Sequence, residues 1–330
     1  MYSWSRRLGL IVAGVLICSS GQALAQSSAP PAKASLRLDW KGGGQHAPFY
    51  LAKERGYYKD EGIDLDIISG SGSSDVVKQV GSKAVEFGIA DALVLVQAAE
   101  QRVPLTAISA YYQRTPIVVL SPQSKPVTDP AQLTQGVKLG SKKGSATFQG
   151  LTAFLAANDI PLQKVTLVDI GFGVQPLLVK QVDAMMGFSM NEPIEAESAG
   201  LPVTVMAISD HGVDAYGLMI VSNPDLIAKN PALVKGFLKA TARGLSDAAK
   251  DPAAAIAAVN KAVSESDAAR EIKVLDRTLP YFQSDDKETH GAGWQSEDRW
   301  EHTIAIARKL GLVERDLSAR QLFSNDMLPH

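Results

Sequence analysis

Cysteine is almost absent from this chain: Cys18 stands alone among 330 residues, so no internal disulfide frame can form and a cysteine-based metal site has no ligands. Excess positive charge is absent too. Lys and Arg number 33 against 35 Asp and Glu, a balance that does not seek nucleic acid. Downstream of Cys18 there is no basic block, no long repeat and no apolar run of membrane-spanning length. Enzyme signatures are missing as well. "GGGQH" at 42–46 is no P-loop, because no Gly-Lys-Ser or Gly-Lys-Thr follows at the right spacing. "GSGSS" at 70–74 lacks the G-x-G-x-x-G spacing of a dinucleotide fingerprint, and no G-x-S-x-G occurs. The five histidines, His46, His211, His290, His302 and His330, are not at metal-ligand spacing, so neither a metal nor a cofactor is expected.

What is present begins with an export signature. Arg6 and Arg7 precede an apolar run from Leu8 to Cys18, and "ALA" ends at Ala25, the charged, apolar and small-residue order of a cleaved signal. Cleavage is expected between Ala25 and Gln26. A lipid anchor on Cys18 is the alternative, opposed by bulky Ile17 where a lipobox carries a small residue. Loss of Arg6 and Arg7 takes the basic count from 33 to 31 against 35 acids, so the exported chain is mildly acidic. Residues 26–34, "QSSAPPAKA", read as a flexible leader.

From Leu36 short apolar runs alternate with amphipathic segments. The patterning predicts strands at "LRLDW", "IDLDII", "VEFGIA", "LTAISAYY" and "IVVLS", with helices "APFYLAKERG", "SSDVVKQVGSK" and "DALVLVQAAEQ" between them. A second unit of the same α/β style starts near Val127 and runs through "VKLGS", "VTLVDI" and "AMMGFS". Strands separated by single helices imply parallel neighbours and right-handed crossovers. "KAVEFGIADAL" at 83–93 and "KQVDAMMGFSMNE" at 180–192 are weakly alike, which suggests two lobes of one design. After residue 224 long helices dominate, and this tail is expected to return onto the first lobe. The division expected is residues 35–121 plus 224–330 for lobe 1 and 122–223 for lobe 2, with hinge connections near 121–126 and 219–224.

Candidate site residues lie where strands open into helices, because helix starts carry unpaired N–H groups and ligand crevices form beyond strand carboxyl ends. These are Ser73 and Ser74, Asp91, Ser145 and Thr147, Phe188, and Asn191 with Glu192. Trp40, His46 and Tyr112 join them from the ends of "LRLDW" and "LTAISAYY" and the glycine triplet between. Each has a plainer reading. Ser73, Ser74, Asp91 and Ser145 are ordinary helix N-caps, Trp40 and Tyr112 suit a core edge, and His46 suits a local hydrogen bond.

"LDWKGGGQHAPFYLAKERGYYKDEGIDLDI", together with "GSGSSDVVKQV", "VEFGIADA", "LGSKKGSATFQ" and "GFSMNEP", resembles the substrate-binding proteins of ABC importers in the group that takes thiamine-pyrimidine precursors, riboflavin, sulfonates and nitrate. The resemblance covers nearly all of the exported chain. It implies a two-lobed periplasmic-binding-protein fold, each lobe a mixed, mostly parallel sheet flanked by helices, with a two-strand hinge. It also implies a monomer that closes on a small molecule and hands it to a membrane permease and its ATPase. In the pyrimidine-precursor branch the residue matching Trp40 stacks on a flat ring and the residue matching Glu192 bonds a ring nitrogen or amino group. That branch usually carries Asn within the segment that here reads "KGGG". A related eukaryotic group consumes the histidine matching His46 in pyrimidine synthesis, but its cysteine-rich motif is missing here.

Overall fold

The computed structural model describes residues 30–283 and 290–329 together with Met1. The expected signal, the cleavage after Ala25 and Cys18 lie outside those described residues. The first part of the chain gives β1 (Ala32–Arg37), α1 (Ala47–Glu54), α2 (Tyr57–Asp60), β2 (Ile63–Ile68), α3 (Ser73–Gly81), β3 (Phe87–Asp91), α4 (Ala92–Glu100) and β4 (Thr106–Ala110). The second gives β5 (Ile117–Pro122), β6 (Lys138–Ser141), α5 (Ala146–Ala157), β7 (Thr166–Asp169), α6 (Gln175–Leu178), β8 (Ala184–Phe188), α7 (Glu192–Ser198) and β9 (Val203–Ala207). β1 begins at Ala32 and pairs with Ile63, so the last three residues of the expected leader belong to the sheet. Alternation explains why: Ala34 and Leu36 are buried while Lys33 and Ser35 point outward.

The chain then returns as β10 (Leu218–Ser222), and the sheets are ordered β2-β1-β3-β10-β4 and β7-β6-β8-β5-β9. Both carry the same permutation. β3 and β8, the two similar stretches in the sequence, hold the same central place in their sheets. The parallel expectation holds for β1 with β2 and β3, and for β6 with β7 and β8. It fails at β10 and β5, each antiparallel to both its neighbours. These reversed strands are the ones that have just crossed from the other half.

That exchange corrects the expected lobe boundaries. β5 belongs to the second sheet and β10 to the first, so the crossings are residues 111–116 and 208–217 rather than 121–126 and 219–224. Both strands are unbroken apolar runs, and hydropathy alone does not say which sheet will satisfy their N–H and C=O groups. The crossings are tied to each other: Thr115 N–H donates to Ala215 O at 3.0 Å, and Gly217 N–H to Tyr112 O at 3.2 Å.

The tail is α8 (Pro224–Lys229), α9 (Pro231–Lys250), α10 (Pro252–Ala262), α11 (Ala268–Thr278) and α12 (Glu297–Lys309). Pro follows Asn223, Asn230 and Asp251, whose side chains each accept an N–H of the helix they open. α9 lays a helical-period stripe including Val234, Phe237, Leu238 and Thr241 on lobe 1, and Phe237 stacks on Phe87 with ring centroids 3.9 Å apart. α12 departs from the expectation, since it packs on α4 of lobe 1 and also on α5 of lobe 2. Phe323 bridges Ala107, which covers the free edge of β4. Among the described residues no helix is long and apolar enough to cross a membrane.

Gly217 is packed without room for a side chain: an added Cβ would lie 2.6 Å from Arg114 O and 3.0 Å from Tyr112 Cβ. Gly217→Ala is expected to cost about 1–3 kcal/mol in urea unfolding, whereas Gly171→Ala, with open space around it, should stay within about 0.5 kcal/mol. Equal stabilities for the two variants would contradict the tight hinge packing.

Candidate functional site

After β1 the chain leaves the sheet through Asp39 and Trp40, and a second loop fixes that exit. Gly70 N–H donates to Trp40 O at 2.9 Å and Gly72 N–H to Asp39 O at 2.8 Å. A Cβ at Gly70 would sit 1.7 Å from Leu38 O, and Gly72 has φ +124°. The "GSG" stretch is therefore a backbone clasp that holds Trp40, and needs no phosphate to explain it.

The glycine triplet answers to packing. A Cβ on Gly42 would meet the Tyr50 hydroxyl at 2.2 Å, and one on Gly44 would meet Glu271 O at 2.2 Å. Gly43 is extended, with φ −170°. The buried Glu271 carboxylate accepts the Gly44 N–H and pairs with the Arg270 guanidinium. Small residues here let α11, from the far end of the chain, close down on the loop beside Trp40.

Between the two sheets lies a cavity of about 520 Å³, within the ordinary range for small-molecule sites. Lobe 1 contributes Trp40, Ser73, Ser74 and Tyr112 to its lining; lobe 2 contributes Ser145, Thr147, Phe188, Asn191 and Glu192. Several of these are also committed to structure. Ser145 Oγ accepts the Phe148 N–H at 3.2 Å as the α5 cap and contacts Thr147 Oγ1 at 2.8 Å, and Ser73 Oγ accepts the Asp91 N–H at 3.0 Å. Tyr112 packs its ring on Tyr111, centroids 5.0 Å apart.

Two expected site residues do not reach the cavity lining. His46 is fully buried, with Nε2 2.8 Å from Asp39 Oδ1; it supports a cavity residue from behind, because the short helical turn Gly44–His46 points it inward. Asp91 is buried as the α4 N-cap, accepting the Leu93 N–H at 3.0 Å. Burial pushes its carboxyl to about 7, the Asp39 charge adds to the rise, and the N–H groups of Leu93 and Val94 oppose it.

Glu192 opens α7 and faces the cavity while accepting the Phe188 N–H at 2.7 Å. Desolvation pushes its carboxyl to about 7, against the backbone N–H groups that hold it; Glu195 adds to the rise and Arg270 lowers it. Residues not singled out from sequence complete the walls: Asp39, Phe172, Glu195, and Glu265, Arg270 and Glu271 from the tail. Lys142 also lines the cavity, with its ammonium 3.6 Å from the Phe172 ring centroid. The local signal for Phe172 is "IGFGV", an aromatic between glycines; nothing local marks Arg270. Among the described residues five acids line the cavity, Asp39, Glu192, Glu195, Glu265 and Glu271, against Lys41, Lys142 and Arg270. Among the described residues no group of three His, Cys, Asp or Glu could hold a metal ion.

Two five-stranded sheets of identical permutation, exchanging a strand each across a paired hinge and enclosing a polar-lined cavity, define the periplasmic-binding-protein fold. Solved structures agree: the periplasmic nitrate-binding protein NrtA of Synechocystis superposes with TM-score 0.70 at 14% identity, covering 90% of this chain and 87% of that one. The alkanesulfonate-binding protein SsuA of Xanthomonas axonopodis pv. citri, bound to MOPS, gives 0.68 at 15%, covering 90% and 99%. Within that fold the chain belongs to the NMT1/THI5-like family, whose model matches residues 44–255. Its relatives include the riboflavin-binding protein RibY of Chloroflexus aurantiacus, 26% identical over 97% of this chain and 96% of that protein. They also include a 4-amino-5-hydroxymethyl-2-methylpyrimidine phosphate synthase of Legionella pneumophila, 25% identical over 90% and 92%.

The raised carboxyls predict a pH dependence. A carboxyl raised on folding binds its proton more tightly in the folded state, so its stabilising contribution is complete below the unfolded value and is lost as pH climbs to the folded one. For Glu192 that window runs from 4.5 to about 7, and for Asp91 from 3.8 to about 7. The surface acids Asp183, Asp225 and Asp247 are lowered by their cationic, backbone and tyrosine partners and act only at more acid pH. Unfolding free energy should therefore fall between about pH 4 and 7, and Glu192→Gln should flatten that fall. Parallel profiles for the two proteins would contradict the assignment.

Proposed function

We propose that this protein is a non-enzymatic, periplasmic solute-binding component of an ABC importer that captures a small, flat heterocyclic or aromatic compound in the cavity between its lobes. The observation that carries this reading is the pairing of an aromatic face and an acid in one cavity: Trp40 from the first lobe and the near-neutral Glu192 from the second. Stacking on an indole adds about 0.5–1.5 kcal/mol beyond area burial, and a hydrogen bond to a charged group about 1.5–3. Together these fall short of the roughly 8 kcal/mol of micromolar binding, so burial of the ring in the closed cavity has to supply the rest. The riboflavin-binding relative supports a planar ligand. In this reading the signal is cleaved after Ala25, the exported protein is a monomer, and its partners are a permease and an ATPase.

A small sulfonate, nitrate or carboxylate is the second reading, favoured by Lys142 and Lys41 in the lining and by the fold neighbours that bind such anions. The excess of cavity acids works against it, since a like charge in a desolvated site is repulsive. A synthase that consumes His46 is the third, prompted by the Legionella relative. The burial of His46 behind Asp39 opposes it.

Titration against flat heterocycles and aromatic acids should give saturable tryptophan quenching and a thermal shift, both abolished by Trp40→Ala. Glu192→Gln should weaken an amino-heterocycle about tenfold or more and leave an anion unchanged or improved. No thermal shift with any flat compound at millimolar concentration would rule the reading out. Intact mass after incubation with pyridoxal phosphate and iron should stay constant; a mass change at His46 would instead establish the synthase.

A further inference from the structure

Phe172 is the large aromatic side chain that the packing of the described residues leaves in solvent, at 46% exposure. It sits on the connection from β7 to α6, between Ile170 and Val174, which are both buried, so the loop is anchored at each end. Its immediate neighbours are Gly171, with open space around it, and Gly173, with φ +84°. Two glycines beside a ring make a short tip that can turn while its anchors stay in the core. A phenylalanine kept half in water forfeits much of the stabilisation that full burial would give it, so its position calls for a function.

The ring reaches across the cleft. Its centroid lies 4.3 Å from that of Trp40, on the other lobe, with the planes tilted by 56°. Trp40 is the fixed partner, because the Gly70 and Gly72 N–H groups clasp its own and its neighbour's carbonyl. Both residues line the cavity.

We propose that Phe172 is the movable half of an aromatic clamp, which parts from Trp40 to take a flat ring system between the two faces and closes again over it. The proposal rests on the reading of the cavity as a site for a planar compound, and it adds the second face and a constraint on shape. A ring held between two others needs a contact of about 3.5 Å on each side, so Trp40 and Phe172 have to separate by roughly 3 Å from their present distance. Only a thin π-system meets that condition. Release requires the same parting, so Phe172 acts on dissociation more than on encounter. Lys142 over the Phe172 ring braces the movable half by cation–π attraction.

The test uses the full exported protein with riboflavin and 4-amino-5-hydroxymethyl-2-methylpyrimidine as flat probes and MOPS and nitrate as non-aromatic ones, read by calorimetry and stopped-flow fluorescence. For a flat probe that the wild type binds, Phe172→Ala and Phe172→Leu should dissociate about tenfold faster, a change of about 1.4 kcal/mol, while Phe172→Tyr keeps the wild-type rate. Because the ring is half exposed, all three variants should unfold at the wild-type temperature. Wild-type dissociation in Phe172→Ala and Phe172→Leu, with binding lost in Trp40→Ala, would overturn the clamp and leave the planar-ligand reading standing. A wild-type protein that takes neither flat probe nor any other planar heterocycle would overturn both together.

Discussion

Backbone hydrogen bonding at the two crossings governs the rest of the molecule. β5 and β10 carry apolar side chains on both faces and sit between two neighbours each, so their N–H and C=O groups have to be paired within a sheet. Each finds its partners in the sheet that the preceding strands did not build. The exchange ties residues 111–116 to 208–217, and it leaves the strand ends of both sheets facing one shared space. A cavity between lobes, with walls joined by a narrow paired hinge, follows from that pairing.

The electrostatics of the cavity follow from what the fold encloses. β3 and β8 occupy equivalent places, and each leads into an acid at the start of the next helix. Asp91 is sealed beneath α4, while Glu192 opens onto the cavity. Desolvation raises both to about 7 in different settings: one caps a helix in the core, the other faces the cavity. The family includes a riboflavin-binding relative and a pyrimidine phosphate synthase, and in this chain His46 is buried behind Asp39 while Glu192 lines the cavity.

The tail has a larger part in the site than its position suggests. The family model ends at residue 255, yet Glu265, Arg270 and Glu271 line the cavity and Glu271 holds the Gly44 N–H. Gly43 and Gly44 beside Trp40 are thus confined by a helix more than two hundred residues away in sequence, and Gly42 by Tyr50 of α1. The triplet's narrow profile serves helix packing first, and the cavity is bounded by the result.

The two α/β units, the helical tail and most strand and helix positions could be read from the sequence, and nine of the eleven residues singled out from it line the cavity, because period-2 and period-3.6 patterns and helix-start chemistry are local properties. The same local logic misplaced His46 and Asp91, since a residue beside a strand end is caught as readily by an interior cap or ion pair as by a cavity. It also missed Phe172, Arg270 and Glu271, and it set the lobe boundaries where the hydropathy changes rather than where the chain crosses. Sequence alone determined which segments form strands and helices and which strand ends carry polar groups. Which sheet accepts β5 and β10, which acids lose their water, and which distant residues close the cavity were decided by tertiary packing, because hydrogen-bond pairing and desolvation depend on neighbours that the linear order does not contain.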